Sequence, residues 1–180
     1  NHDRIIRALP SVCRKVPEVL LVLSEQFADR DYVAGLRRLA ADLGVAERVL
    51  FVGAIPYQDM PLWMNLAEAL VMVPQSDGMP NSLLEAMACG TVPVLSQLPQ
   101  YAEVIRHGLN GFLVEPEPDA IAEGLVKALS DGIDRASIAE RNRRFVMEVA
   151  DQDREMARME GWYAELAKAG TARTVVPVAR

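Results

Sequence analysis

A chain of 180 residues, 51% hydrophobic and 24% charged, is long enough to bury one core of ordinary size and short for two. Its 19 Lys and Arg against 25 Asp and Glu leave a net charge of -6 with no basic block, which argues against the electropositive face that a nucleic-acid partner needs. Cys13 and Cys89 lie far apart without paired-ligand spacing, so neither a zinc site nor a disulfide framework is indicated, and a reduced, cytoplasmic setting is expected.

The chain opens on Asn-His-Asp-Arg, which lacks the pattern of a signal peptide, and enters a helix over about 3–16 with Ile5, Ile6, Leu9, Val12 and Cys13 at helical spacing. Pro10 is expected to kink or interrupt that helix. Five short apolar runs follow, at 19–23, 49–52, 69–73, 92–95 and 111–114, each of strand length and far too short to cross a bilayer. Between the first two runs a helix is predicted over 31–43, with Asp29 or Asp31 as its cap, Val33, Leu36, Leu39 or Ala40, and Leu43 on one side, and Gly44 past its end. Asp29-Arg-Asp31 has the spacing of a paired-acid metal site, but at a helix start capping is the preferred reading and no metal is expected. Trp63 with Met60 and Met64, and Trp162 with Met156 and Met159, sit at spacings that usually mean packing, although the stretch 153–166 is also expected to leave apolar area exposed. His107, before Gly108, reads as a cap at a helix end. The alternation of strands and helices predicts an α/β fold, a Rossmann-like parallel sheet with helices on both faces. Helices alone follow at 118–130, 135–149 and 153–168, then a mobile tail over 169–180.

The stretch Ser76-Asp-Gly-Met-Pro-Asn-Ser-Leu-Leu-Glu-Ala-Met-Ala-Cys-Gly90 holds the chemistry. It follows the third run, so Pro74 to Met79 forms the loop at a strand's carboxyl end, the edge where open α/β sheets bind ligands. Pro80 suits the first helical position and Gly90 the position past the end, which predicts a helix over 80–89. The amides of Asn81, Ser82 and Leu83 would then be free, at the positive end of the helix dipole, to receive a phosphate, while Gly78 lets a ligand approach the backbone. Glu85 lies one turn inside, and helical side chains lean toward the N-terminus, so its carboxylate reaches the mouth of the same pocket and can accept both hydroxyls of a ribose. Asp77 faces another part of the ligand. A molecule anionic in the middle and rich in hydroxyls at both ends fits, and a nucleotide-diphosphate sugar is one. The plainer alternative is a dipole partner and a solvated face, with Leu83, Leu84, Met87 and Ala88 as core.

The order Asp77-Gly-Met-Pro-Asn-Ser-Leu-Leu-Glu85 resembles the E-x7-E signature of the retaining GT-B glycosyltransferases of the family four group, also called group 1. Leu43 to Gly53, Tyr101-Ala-Glu-Val-Ile105 with Gly108 and Gly111-Phe-Leu-Val114, and Glu160-Gly-Trp-Tyr163 also resemble segments of that family, so the likeness spans roughly residues 1–168. The resemblance implies a C-terminal, donor-binding domain in which Glu85 holds the ribose and Asp77 lies against the donor sugar, both as catalytic acids. The backbone from Gly78 through Met79, Pro80 and Asn81 to Ser82 would meet the sugar and diphosphate, and Gly53, Ala54 and Ile55 would lie near the base. No cofactor is implied, since the nucleotide-diphosphate sugar is itself the substrate. The first acid is Asp rather than Glu, one methylene shorter, and the loop Ser24 to Asp31 lacks the family's usual glycines.

By the same resemblance, the partners are an N-terminal acceptor domain absent from this sequence and a sugar or lipid-linked acceptor. The full enzyme is expected in the cytoplasm, at the membrane periphery and without a span of its own. A basic pair that similar proteins place upstream of the first helix is also missing, so little or no transferase activity is expected of this chain alone. The alternatives are a non-catalytic sugar-nucleotide-binding or interaction module and another GT-B enzyme such as a sugar-nucleotide epimerase. A Rossmann dehydrogenase is disfavoured because no G-x-G-x-x-G follows the first strand.

Overall fold

The computed structural model describes residues 1–26 and 28–171, so the predicted tail beyond Thr171 lies outside the described residues. The chain divides into two compact units, Asn1–Arg143 and a second that begins at Arg144. In the first unit helix α1 (His2–Lys15) leads to β1 (Leu21–Ser24), α2 (Arg30–Asp42), β2 (Val49–Val52), α3 (Met60–Leu66), β3 (Ala69–Met72) and α4 (Asn81–Cys89). Strand β4 (Val92–Ser96), α5 (Pro99–Ala102), β5 (Phe112–Val114) and α6 (Pro118–Leu129) follow, and α7 (Arg135–Val149) runs out of this unit. The second unit is dominated by α8 (Gln152–Thr171).

All strand pairs are parallel, as the alternating order requires, because a crossover helix returns the chain to the same edge. Leu21 stands opposite Val49, Ala69 opposite Val92 and Val94 opposite Phe112. The single sheet expected from the sequence is divided, however, into a β1–β2 ladder and a β3–β4–β5 ladder. Helix α1 serves both. Ile5, Ala8 and Val12 pack in the cluster built on Val92, Val94, Phe112, Ile121 and Leu125, while Ile6 and Leu9 pack with Leu36, Ala40, Val45 and Val49.

That double burial explains why Pro10 does not interrupt α1, contrary to the expectation from its sequence. A proline inside a helix costs about 3 kcal/mol. Four large side chains of α1, Ile5, Ile6, Leu9 and Val12, are buried, and each contributes roughly 1.5–3 kcal/mol, so packing outweighs the lost bond. Asp29, rather than Asp31, caps α2, accepting a bond of 2.9 Å from the Tyr32 amide, and Gly44 turns the chain out with φ 69. Helices α3 and α5 carry Pro61 and Pro99 in their first turns, and each is too short to show a hydrophobic period.

Gly124 lets α6 lie close to the sheet, since a Cβ there would sit 2.6 Å from Val114 Cγ1 and 3.1 Å from Val94 Cγ1. Gly124→Ala is therefore expected to lower stability although alanine is the better helix former. Overpacking costs about 1–3 kcal/mol against about 1 kcal/mol gained in propensity. A denaturant midpoint equal to or above the parent's would contradict this.

Within the second unit, Met156, Met159, Trp162, Tyr163 and Leu166 of α8 are all exposed, with the Arg158 guanidinium 4.7 Å from the Trp162 ring. Exposure, rather than burial, is thus the outcome for these side chains, while Trp63, Met60 and Met64 are half-buried. Among the described residues no helix is long and apolar enough to cross a membrane.

Candidate functional site

Strand β3 ends at Met72, Val73 is buried, and the chain emerges into the exposed loop Gln75 to Met79. Helix α4 starts at Asn81, one residue later than predicted, with Pro80 as the extended N-cap residue at φ -76 and ψ 137. The Leu83 amide donates to the Pro80 carbonyl at 3.1 Å, so it is not free, contrary to the reading of the sequence. The amides of Met79, Asn81 and Ser82 have no acceptor among the described residues and remain available to an anion. A Cβ on Gly78 would meet nothing within 4 Å, which leaves the space in front of this backbone open. Gly90 closes α4 in the left-handed region at φ 88, as its position suggested.

The two acids differ sharply in environment. Glu85 is half-buried and has neither a hydrogen bond nor an ion pair among the described residues. Asp77 is exposed yet held: Oδ1 accepts from the Gly78 amide at 2.8 Å, Oδ2 accepts from the Tyr101 hydroxyl at 2.6 Å, and its carbonyl accepts from Gln100 Nε2. Burial of Tyr101 drives its hydroxyl pKa far above the ordinary value, and the bond to Asp77 and the carboxylate's charge add to this, so the phenol is a permanent donor. Ser96, buried at the end of β4, donates to the Pro74 carbonyl at 2.8 Å. The loop is thus tied at its base and at Asp77 from the β4–α5 segment. The sequence gives no sign of the roles of Tyr101 and Gln100, because no local spacing signals a partner more than twenty positions away.

Ser82 turns its hydroxyl toward Met72 Sδ at 3.7 Å, leaving its amide rather than its side chain for a ligand. In α4 the core residues are Leu83, Ala86 and Met87, whereas Leu84 is half-buried and Ala88 exposed, a correction to the predicted core. Gly53, Ala54 and Ile55 lie at the carboxyl end of β2, on the other ladder, and no hydrogen bond joins them to the Asp77–Glu85 segment. Gly53 instead accepts a bond of 3.3 Å at its carbonyl from Ser24 Oγ, which links the loops leaving β1 and β2. Beside them Arg37 stacks 4.1 Å over Phe51 and pairs with Glu25.

Other groups are occupied or quiet. Arg4, near the start of α1, donates to the Pro116 carbonyl at 2.6 Å and pairs with Glu117 at 2.8 Å, so its charge is committed. His107 lies five residues beyond the end of α5 rather than at a helix end, its ring edge-on to Phe112 and its Nδ1 against the Leu113 backbone. Burial raises the Cys89 pKa, with Glu85 adding and Arg143 opposing, so this thiol is not a poised nucleophile.

A half-buried, unpaired acid one turn behind free helix amides, with a second acid locked on the preceding loop, suits a ligand that carries phosphate and hydroxyls. The family model for glycosyl transferases group 1 matches residues 1–145. The chain belongs to the group 1 glycosyltransferases.

Among curated relatives, the GDP-mannose-dependent alpha-(1-6)-phosphatidylinositol monomannoside mannosyltransferase of Mycolicibacterium smegmatis is 30% identical over 156 residues, which is 82% of this chain and 40% of that protein. The chain therefore spans less than half the length of that glycosyltransferase. Among solved structures, Anabaena HepE in complex with UDP superposes with a TM-score of 0.74 at 26% identity, covering 92% of this chain and 44% of that one. The C-terminal domain of the group 1 glycosyl transferase LpcC from Francisella tularensis superposes at 0.70 with 24% identity, covering 84% of this chain and 80% of that one. These likenesses carry the Rossmann-like half of a GT-B glycosyltransferase fold onto this chain.

Proposed function

We propose that this chain is the donor-binding half of a glycosyltransferase that moves a sugar from a nucleotide-diphosphate sugar to an acceptor with retention of configuration. The observation that carries the reading is Glu85, a half-buried carboxylate with no hydrogen bond or ion pair among the described residues, set one turn behind the free amides of Asn81 and Ser82. In this reading Glu85 accepts the two ribose hydroxyls, the amides receive the diphosphate, and Asp77 accepts hydroxyls of the donor sugar. Gly53, Ala54 and Ile55 flank the base. The mycobacterial relative is named for GDP-mannose and HepE was crystallised with UDP and with UDP-glucose, so guanosine and uridine donors are the first to test.

As the bond to the leaving diphosphate breaks, negative charge grows where the amides of α4 point, which is preorganised electrostatic stabilisation without a metal. A helix end contributes only about 0.3–1 kcal/mol, up to ~2 in favourable sites. Arg4 is already paired with Glu117, and in this reading further cations and the acceptor site are supplied by a second domain. The chain by itself is accordingly expected to bind donor with little or no turnover.

Thermal melting of the chain against UDP, GDP, ADP and their sugars tests this. One nucleotide series should raise the melting temperature, since ligand at 100 times its Kd adds about 2.7 kcal/mol. A folded chain that none of these compounds stabilises would sink the reading, and turnover by the chain matching that of an intact enzyme would sink its half-site part.

A further inference from the structure

Asp77 is exposed on a loop, where a carboxylate ordinarily samples several rotamers, yet three donors fix it. The Gly78 amide holds Oδ1, the Tyr101 hydroxyl holds Oδ2, and Gln100 holds the residue's carbonyl. Tyr101 is itself anchored, its side chain fully buried in the core on the short helix that follows β4. Each carboxylate oxygen offers about two acceptor sites, so one on each remains open. Glu85, in contrast, has no hydrogen bond or ion pair among the described residues. One acid is set in place before a ligand arrives and the other is not.

We propose that Tyr101 is a positioning residue that aims the Asp77 carboxylate at the donor sugar, so that its hydroxyl governs affinity for the sugar of the donor and not for the nucleoside diphosphate. The inference rests on the donor-binding reading above and adds to it a residue on a different element from the acids. A simple loop tether would behave differently. Loosening the whole Pro74–Pro80 loop would move the amides of Met79, Asn81 and Ser82 as well, and nucleotide and sugar nucleotide would then weaken together.

Tyr101→Phe removes the hydroxyl and keeps the ring in the core. Calorimetric titrations of parent and variant would use the bare diphosphate and the sugar nucleotide of whichever series stabilises the parent, beginning with GDP and GDP-mannose and with UDP and UDP-glucose. The expected result is a loss of about tenfold for the sugar nucleotide, the weight of one charge-assisted bond, with the diphosphate unchanged. In an Asp77→Ala background the same substitution should have no further effect, a cycle that also serves should Tyr101→Phe alter stability. Equal losses for both ligands, no loss for either, or a full effect surviving in Asp77→Ala would overturn the role of Tyr101 while leaving donor binding intact. A parent that binds neither ligand of any series overturns both.

Discussion

Glu85→Ala is expected to reduce donor-nucleotide affinity by about two orders of magnitude while leaving the fold as stable as before, or slightly more so. Two ribose hydroxyls donating to one carboxylate make two charged hydrogen bonds, each contributing about 1.5–3 kcal/mol, and each 1.4 kcal/mol is tenfold in affinity. Nothing in the folded chain offsets that loss, because Glu85 bonds to no described residue and its replacement leaves no protein group unsatisfied. Alanine is also the better helix former, and Glu85 lies in the middle of α4. Glu85→Gln keeps one acceptor oxygen without the charge and should fall between parent and Ala. Titration with the bare diphosphate, paired with a thermal melt, reads both halves of the prediction. Undiminished affinity would show that the carboxylate belongs to a solvated helix face, whereas a large drop in melting temperature would show a structural role.

What could be read from the chain beforehand follows from how local each signal is. All five apolar runs became strands with ends shifted by a residue or two, since a buried strand is written in consecutive residues. An aspartate cap, at Asp29 or Asp31, and the Gly90 turn are legible for the same reason: each depends on a few neighbours, and the structure selects Asp29. The errors fall where distant partners decide. Pro10 stays inside α1 because two separate clusters grip that helix. His107 turns to the Leu113 backbone instead of capping a helix, and a local exception is Leu83, whose amide tightens the first turn of α4 by an i→i−3 bond to the Pro80 carbonyl. The two acids of the site stood out by spacing along a loop and a helix. Their contrasting states, one clamped and one free, depend on Tyr101 and Gln100 arriving from another crossover, which no window of sequence contains.

The largest stability effect is expected at Asn142, on α7. Its side chain is wholly buried and forms a closed exchange with Asn110: Nδ2 donates to the Asn110 carbonyl at 3.0 Å, and Oδ1 accepts from Asn110 Nδ2 at 3.0 Å. Asn110 spends its remaining capacity on the turn before β5, donating to the Val104 carbonyl at 3.1 Å and accepting from the Arg106 amide at 2.7 Å. Asn142→Leu preserves approximate volume but strands one N–H and one carbonyl of Asn110 in a dry site, each at about 1–3 kcal/mol. A loss near 3 kcal/mol is expected, lowering the melting temperature by roughly 6–12 °C at 2–4 °C per kcal/mol for a chain of this size. The neighbouring Arg143 bonds the last carbonyls of α4, Nε to Ala88 at 2.9 Å and Nη2 to Cys89 at 3.2 Å, so α7 also braces α4 from its far end. The free amides of Asn81 and Ser82 lie at the opposite end of α4, where the loop is tied by Ser96 and Tyr101 instead. Well below its transition, Asn142→Leu should therefore keep donor affinity within a few-fold of the parent. Pairing it with Asn110→Ala should cost less than the sum of the two single losses, because the second change removes the side-chain N–H that the first left unpaired, while the backbone carbonyl stays unpaired in both. An unaltered denaturation midpoint in Asn142→Leu, or strict additivity in the pair, would refute this account of the exchange.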